Sequence, residues 1–214
     1  INGHTQPGWT GVPLIELSGA YVGGTNGLVI YGGGSGSVIR SLIFNQFDEQ
    51  GIQLGSANNV TIRDCYIGTS SNGLGTVSKR GKNGIYLYNS PNNTISGNVI
   101  SYMGANGIHL DYNSTGNTVT QNRIGLGADY STSLGNANEG VYVTANNNVI
   151  GVAYSGNFIS SNGRSGVKLD NVSGNGVYGN YIGNGSGNVG KGNGEHGVLI
   201  QGGSGNVVGG SVMG

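Results

Sequence analysis

One four-residue unit, a glycine followed by an aliphatic residue, any residue and a second aliphatic, returns seven times along the chain. It reads Gly27-Leu28-Val29-Ile30, then begins again at Gly51, Gly84, Gly107, Gly140, Gly166 and Gly197. The spacings alternate short and long, 24, 33, 23, 33, 26 and 31 residues, so successive pairs span 57, 56 and 57. A period in this range marks stacked supersecondary units, each too small to bury its own apolar face. Aliphatics at alternate positions over three or four residues indicate short strands with one face inward. A second unit follows the first, as in Thr94-Ile95 with Val99-Ile100 and Thr118-Val119 with Arg123-Ile124. It reads as a strand and, five residues on, a hydrophobic pair. Glycine interrupts every segment that might otherwise sustain a helical period. The chain is therefore expected to be all-β, a single-stranded parallel β-helix (solenoid) of about seven to eight coils. With strands ~4.8 Å apart, seven coils make a rod of roughly 30 to 35 Å.

Composition agrees with burial rather than disorder. Glycine supplies 46 of 214 residues, but only 8% are charged, and Val and Ile recur regularly; disordered chains show the opposite balance. Asparagine numbers 29 and falls into two rows: Asn93, Asn117, Asn148, Asn175 and Asn206, and Asn98, Asn122, Asn157 and Asn180. Such rows predict ladders of stacked amides along the rod. The glycine before each first strand is expected to sit in a bend of positive φ. Cys65, the one cysteine, aligns with the second row and reads as a small buried turn residue; a lone cysteine forms no internal disulfide. The net charge is zero, and the one basic run, Lys79-Arg80-Gly81-Lys82, reads as a solvated loop. Nothing offers the clustered Lys and Arg that nucleic acid requires, and no apolar stretch reaches membrane-spanning length. The chain opens on Ile1, so residues 1–214 read as one β-helix domain, a segment of a larger protein.

The units around Asn93-Thr94-Ile95-Ser96-Gly97-Asn98-Val99-Ile100 and Gly107-Ile108-His109-Leu110 resemble the right-handed parallel β-helix repeats of the pectin-lyase-like superfamily. The longer coils, with Asn122-Arg123-Ile124-Gly125, Leu134-Gly135-Asn136 and Gly140-Val141, resemble those of large bacterial secreted or cell-surface β-helix proteins. That resemblance implies a right-handed helix and an extracellular or cell-surface location. It leaves activity open, since the superfamily includes polysaccharide lyases, hydrolases and epimerases as well as tailspikes and non-catalytic stalks, and a fold hosts many activities.

The residues themselves offer one strip for chemistry. The middle, outward position of the first strand reads Val29, Gln53, Tyr86, His109, Tyr142, Lys168, Leu199. Tyr88, Asp111 and Asp170 flank it on one side, and Glu139, Glu195 and His196 on the other. Tyr86, His109, Tyr142 and Lys168 form a contiguous ladder if the coils are in register. Aromatic faces beside polar groups suit sugar rings, and His or Lys beside Tyr suits acid–base work. Asp111 and Asp170 align two coils apart, about 9.6 Å at the sheet spacing. That is too wide for one calcium ion, the cofactor a lyase-type site would call for, and at the upper edge for a glycosidase pair. Loops 69–83, 126–139 and 184–196 recur every second coil and are expected to project from one side, packing on one another or binding.

The leading expectation is a non-catalytic structural or adhesive β-helix module. The alternatives are a polysaccharide lyase or depolymerase, or a carbohydrate-binding module, on the Tyr86–Lys168 strip. Polysaccharide is the expected partner. A coil with no neighbour leaves an unpaired sheet edge, so end-to-end self-stacking is expected too.

Overall fold

The computed structural model describes residues 1–78, 80–188 and 190–210. Lys79, one member of the basic run, lies outside them. The chain winds as a parallel β-helix of seven coils with three parallel sheets of seven strands each. The first sheet holds the glycine-led strands: Leu28–Tyr31, Ile52–Gly55, Ile85–Tyr88, Ile108–Asp111, Val141–Val143, Val167–Asp170 and Val198–Gln201. The second runs from Val38–Arg40 through Thr61–Arg63, Thr94–Ser96, Thr118–Thr120, Val149–Ile150 and Gly176–Val177 to Val207–Val208. The third comprises Ile15–Ser18, Leu42–Asn45, Tyr66–Ile67, Val99–Ile100, Arg123–Ile124, Phe158–Ile159 and Tyr181–Ile182. No helix among the described residues is long and apolar enough to cross a membrane.

Because side chains alternate across a strand, one residue in two enters the lumen. Ile52, Ile85, Ile108, Val141 and Val167 make one fully buried column, and Ile62, Ile95, Val119 and Ile150 another. Ile67, Ile100, Ile124 and Ile159 line the third side. Truncating one of these isoleucines to Ala is expected to cost about 2–5 kcal/mol, the lost burial plus the void left behind.

Both asparagine rows are ladders. The Asn93 N–H donates to Asn117 Oδ1 at 2.8 Å, and Asn117 repeats this to Asn148, Asn148 to Asn175 and Asn175 to Asn206. In the second row Asn98, Asn122 and Asn157 donate in turn to Asn122, Asn157 and Asn180. Cys65 heads that row, its N–H donating to Asn98 Oδ1 at 2.9 Å. Its thiol is buried, and burial pushes its pKa up to about 12, so it is a packed turn residue and no nucleophile. Two further ladders escaped the sequence alignment. Asn136, Asn162 and Asn193 form one. Asn26, Gln50, Asn83 and Asn106 form the other, ending on the Glu139 N–H.

The expected role of the strand-leading glycines is corrected. Gly27, Gly51, Gly84, Gly107, Gly140 and Gly166 do not have positive φ. A Cβ on any of them would instead lie 2.5–2.7 Å from the carbonyl oxygen of the matching glycine one coil on. The constraint is space between stacked backbones. Positive φ occurs instead on residues preceding both rows, such as Asn92 (58°), Gly116 (68°) and Asn147 (59°) before the first and Asp64 (56°), Gly97 (69°) and Gln121 (59°) before the second.

Candidate functional site

The first sheet places the outward strip in register. Val29 pairs with Gln53, Gln53 with Tyr86, Tyr86 with His109, His109 with Tyr142, Tyr142 with Lys168, and Lys168 with Leu199. Tyrosine suits such positions because its ring covers a pleated, half-buried surface. The Tyr86 and His109 rings lie 5.3 Å apart and tilted, and His109 stacks on Tyr142 at 4.6 Å and 28°. The Lys168 ammonium sits 5.2 Å above the Tyr142 ring, within cation–π range. The side chains therefore form one continuous column along the rod.

Two carboxylates hold that column. The Tyr86 hydroxyl donates to Asp111 Oδ2 at 2.8 Å, and the Thr144 hydroxyl to Asp111 Oδ1 at 2.7 Å. Thr144 also lies 3.3 Å from His109 Nε2. One coil on, Asp170 Oδ2 accepts the Tyr142 hydroxyl at 2.8 Å and pairs with Lys168 at 3.1 Å. Asp111 and Asp170 are thus separate anchors with Tyr142 and Thr144 between them. Among the described residues no three His, Cys, Asp or Glu side chains converge as a metal site would need.

The electrostatics follow from this packing. Burial lowers the His109 pKa, and nearby Asp111 only partly offsets it, so the imidazole is neutral at pH 7. Burial, with the bond to Asp111, raises the Tyr86 phenol well above its usual range, and burial with the bond to Asp170 takes Tyr142 up to about 12. Burial opposes the charge on Asp111, but bonds from Thr144, Tyr86 and the Tyr112 N–H hold its carboxyl below the usual value. Asp170 is lowered chiefly by the Tyr142 hydroxyl.

On the other flank Arg164 bridges Glu139 at 3.5 Å and Glu195 at 3.2 Å, and His196 Nδ1 lies 3.4 Å from Ser165 Oγ. Arg164 was not foreseen, since it stands in a corner outside both repeat units. The long loops pack on one another, Ala128 N–H to Gly73 O and Ser186 N–H to Tyr130 O, both at 2.9 Å. They also lean over the third sheet, where Ala128 packs on Ile43, Tyr66 and Val99. A trough of about 540 Å³ opens beside them, lined by Arg123, Tyr130, Phe158 and Tyr181 among others. The sequence pattern reads each third-sheet unit only as a hydrophobic pair, which does not show which member faces out. The first member of the pair faces outward, and the charged Arg123 in that slot was the available signal.

A family model described as "Right handed beta helix region" matches residues 15–150. Among solved structures, the crystal structure of the periplasmic alginate epimerase AlgG superposes with a TM-score of 0.65 at 17% identity. The match covers 88% of this chain and 48% of that one, so the chain spans about half the length of its neighbour. A search of curated protein sequences finds no match.

Proposed function

The chain belongs to the right-handed β-helix family, and from that premise we propose that it is a non-catalytic adhesive segment, displayed outside the cell, that holds a polysaccharide along the first-sheet strip. The observation that carries this is the unbroken column Tyr86, His109, Tyr142, Lys168, with ring separations of 5.3 and 4.6 Å. Ring edges and polar groups, repeating along a rigid rod at the strand spacing, offer a regular surface to the repeating rings of a glycan. Packing and the Asp111 and Asp170 bonds fix the rotamers beforehand, so little side-chain entropy is lost on binding. An alginate epimerase is built on the same fold, which makes a polysaccharide the first ligand class to test.

The pairings argue against turnover. Proton abstraction next to a carboxylate requires that the carboxylate be neutralised, and the strip's one cation, Lys168, is already paired with Asp170. Both phenols donate to carboxylates, which keeps them protonated. One observation favours the alternative lyase or depolymerase reading: a neutral imidazole stands between two phenols, an arrangement in which a base and an acid flank a sugar.

The two readings separate in one experiment. Acidic and neutral polysaccharides are titrated calorimetrically while the absorbance of unsaturated products is followed. Binding without products is expected. Product formation that disappears in His109→Ala would replace the adhesive reading with the catalytic one.

A further inference from the structure

The trough on the third sheet is a separate feature, on another face of the rod. Its floor is the outward column of that sheet from Arg123 through Phe158 to Tyr181, in register; Ile43 and Val99, earlier in the column, lie buried beneath Ala128. One wall is Tyr130 from the loop 126–139, and Tyr154 stands fully exposed on the opposite rim. The trough continues into a second hollow of about 270 Å³, which shares Asp64, Gly97 and Arg123 and reaches Arg40 and Trp9. Three strands at ~4.8 Å spacing give the main trough a floor of about 10 Å, the length of a disaccharide, and the second hollow extends it.

Its chemistry is specific. Phe158 stacks on Tyr181 at 4.5 Å and 11°, and Tyr130 meets Phe158 edge-on at 4.9 Å. The result is a stack of aromatic rings whose last member, Tyr181, is half exposed. The Arg123 guanidinium lies 4.4 Å over the Tyr130 ring, and Nη1 donates to the Ala128 carbonyl at 2.9 Å. These contacts fix its plane. Its Nε is buried and has no hydrogen-bond partner. Among the described residues no carboxylate lies within 4.0 Å of Arg123, because the nearby acid, Asp64, is held by Arg40 at 3.1 Å. A rigid guanidinium without a counter-ion, in a trough whose other charges cancel, is a receptor for a planar anion.

We infer that this trough is a second glycan site that takes a run of uronic-acid residues, with one sugar carboxylate on Arg123 and sugar rings against Tyr181 and Tyr130. It shares only its ligand class with the strip proposed above and stands or falls independently of it.

Trp9, the chain's one tryptophan, lines the far hollow and provides a local reporter. Short oligogalacturonates are titrated into the whole chain, with tryptophan fluorescence read beside calorimetry. The expected result is a saturable fluorescence change that weakens with added salt and is at least tenfold weaker in affinity for neutral cello-oligosaccharides. Arg123→Gln reduces the oligogalacturonate affinity at least tenfold, and Tyr181→Ser, at an exposed position that need not disturb folding, reduces it several-fold. Lys168→Met on the strip leaves the fluorescence titration unchanged. Equal affinity in wild type and Arg123→Gln, or equal affinity for charged and neutral ligands, overturns the inference. So does binding that is lost in Lys168→Met and kept in both trough variants, an outcome that leaves the strip proposal standing. Absence of any fluorescence response likewise overturns it.

Discussion

Asn122 shows how one amide ties three coils together. Its Oδ1 accepts the Asn98 N–H at 2.9 Å, and its Nδ2 donates to Ile95 O and Asn157 Oδ1 at 2.9 Å each. All of this is buried. Asn122→Ala strands an N–H and a carbonyl in the interior, each worth roughly 1–3 kcal/mol. We expect a loss of about 3 kcal/mol, read as a lower urea midpoint. His109 makes a second residue-scale prediction, on pH. Its folded pKa lies below the ordinary 6.5, mainly through burial, so the unfolded chain takes the proton first. Stability therefore declines as pH falls from 6.5 to the folded value, and levels off below it. Asp111 and Asp170 lie below the ordinary 3.8 when folded. Their contributions are complete above 3.8 and vanish as pH falls through the folded values. The melting temperature should decline in two stages on acidification, and His109→Gln should abolish the upper one. A single acid transition unchanged by that substitution contradicts the packing described for the strip.

At the scale of the strand and its corners, tight stacking of backbones governs. A Cβ at Gly107 would lie 2.7 Å from both Gly140 O and Ile124 Cγ2, so Gly107→Ala must push two coils apart. A loss of about 1–3 kcal/mol is expected, measured by denaturation; Gly33→Ala, with nothing within 4 Å of its Cβ, serves as the control. This is also where sequence reading was strong and then failed. The glycine positions, the inward Ile and Leu columns, both asparagine rows and the strip from Val29 to Leu199 were all legible, because identical environments recur once per coil. The reason for the glycines was not legible, since a positive φ and a close backbone approach leave the same mark on a sequence. Nor was the trough. Tyr130 and Arg123 meet only because the loop 126–139 folds back over the third sheet, and loop paths carry no period.

As a whole the molecule is a quasi-one-dimensional stack, in which each coil is stabilised by its neighbours. The last described coil leaves Ile200, Val207 and Val208 about half exposed. Both proposed glycan surfaces are outward columns, and they exist only if every coil lies over the one before it. His109 and Tyr142 are 33 residues apart yet are Cα partners on adjacent strands, which at the ~4.8 Å sheet spacing brings them within the usual Cα span of a disulfide, about 4.4–6.8 Å. The most direct measurement is mild oxidation of the His109→Cys/Tyr142→Cys double variant, followed by peptide mapping. Rapid, near-complete 109–142 cross-linking is predicted. No cross-link, or a preferred link from 109 to a cysteine placed at Val141 or Val143 instead, would contradict the register on which both surfaces depend.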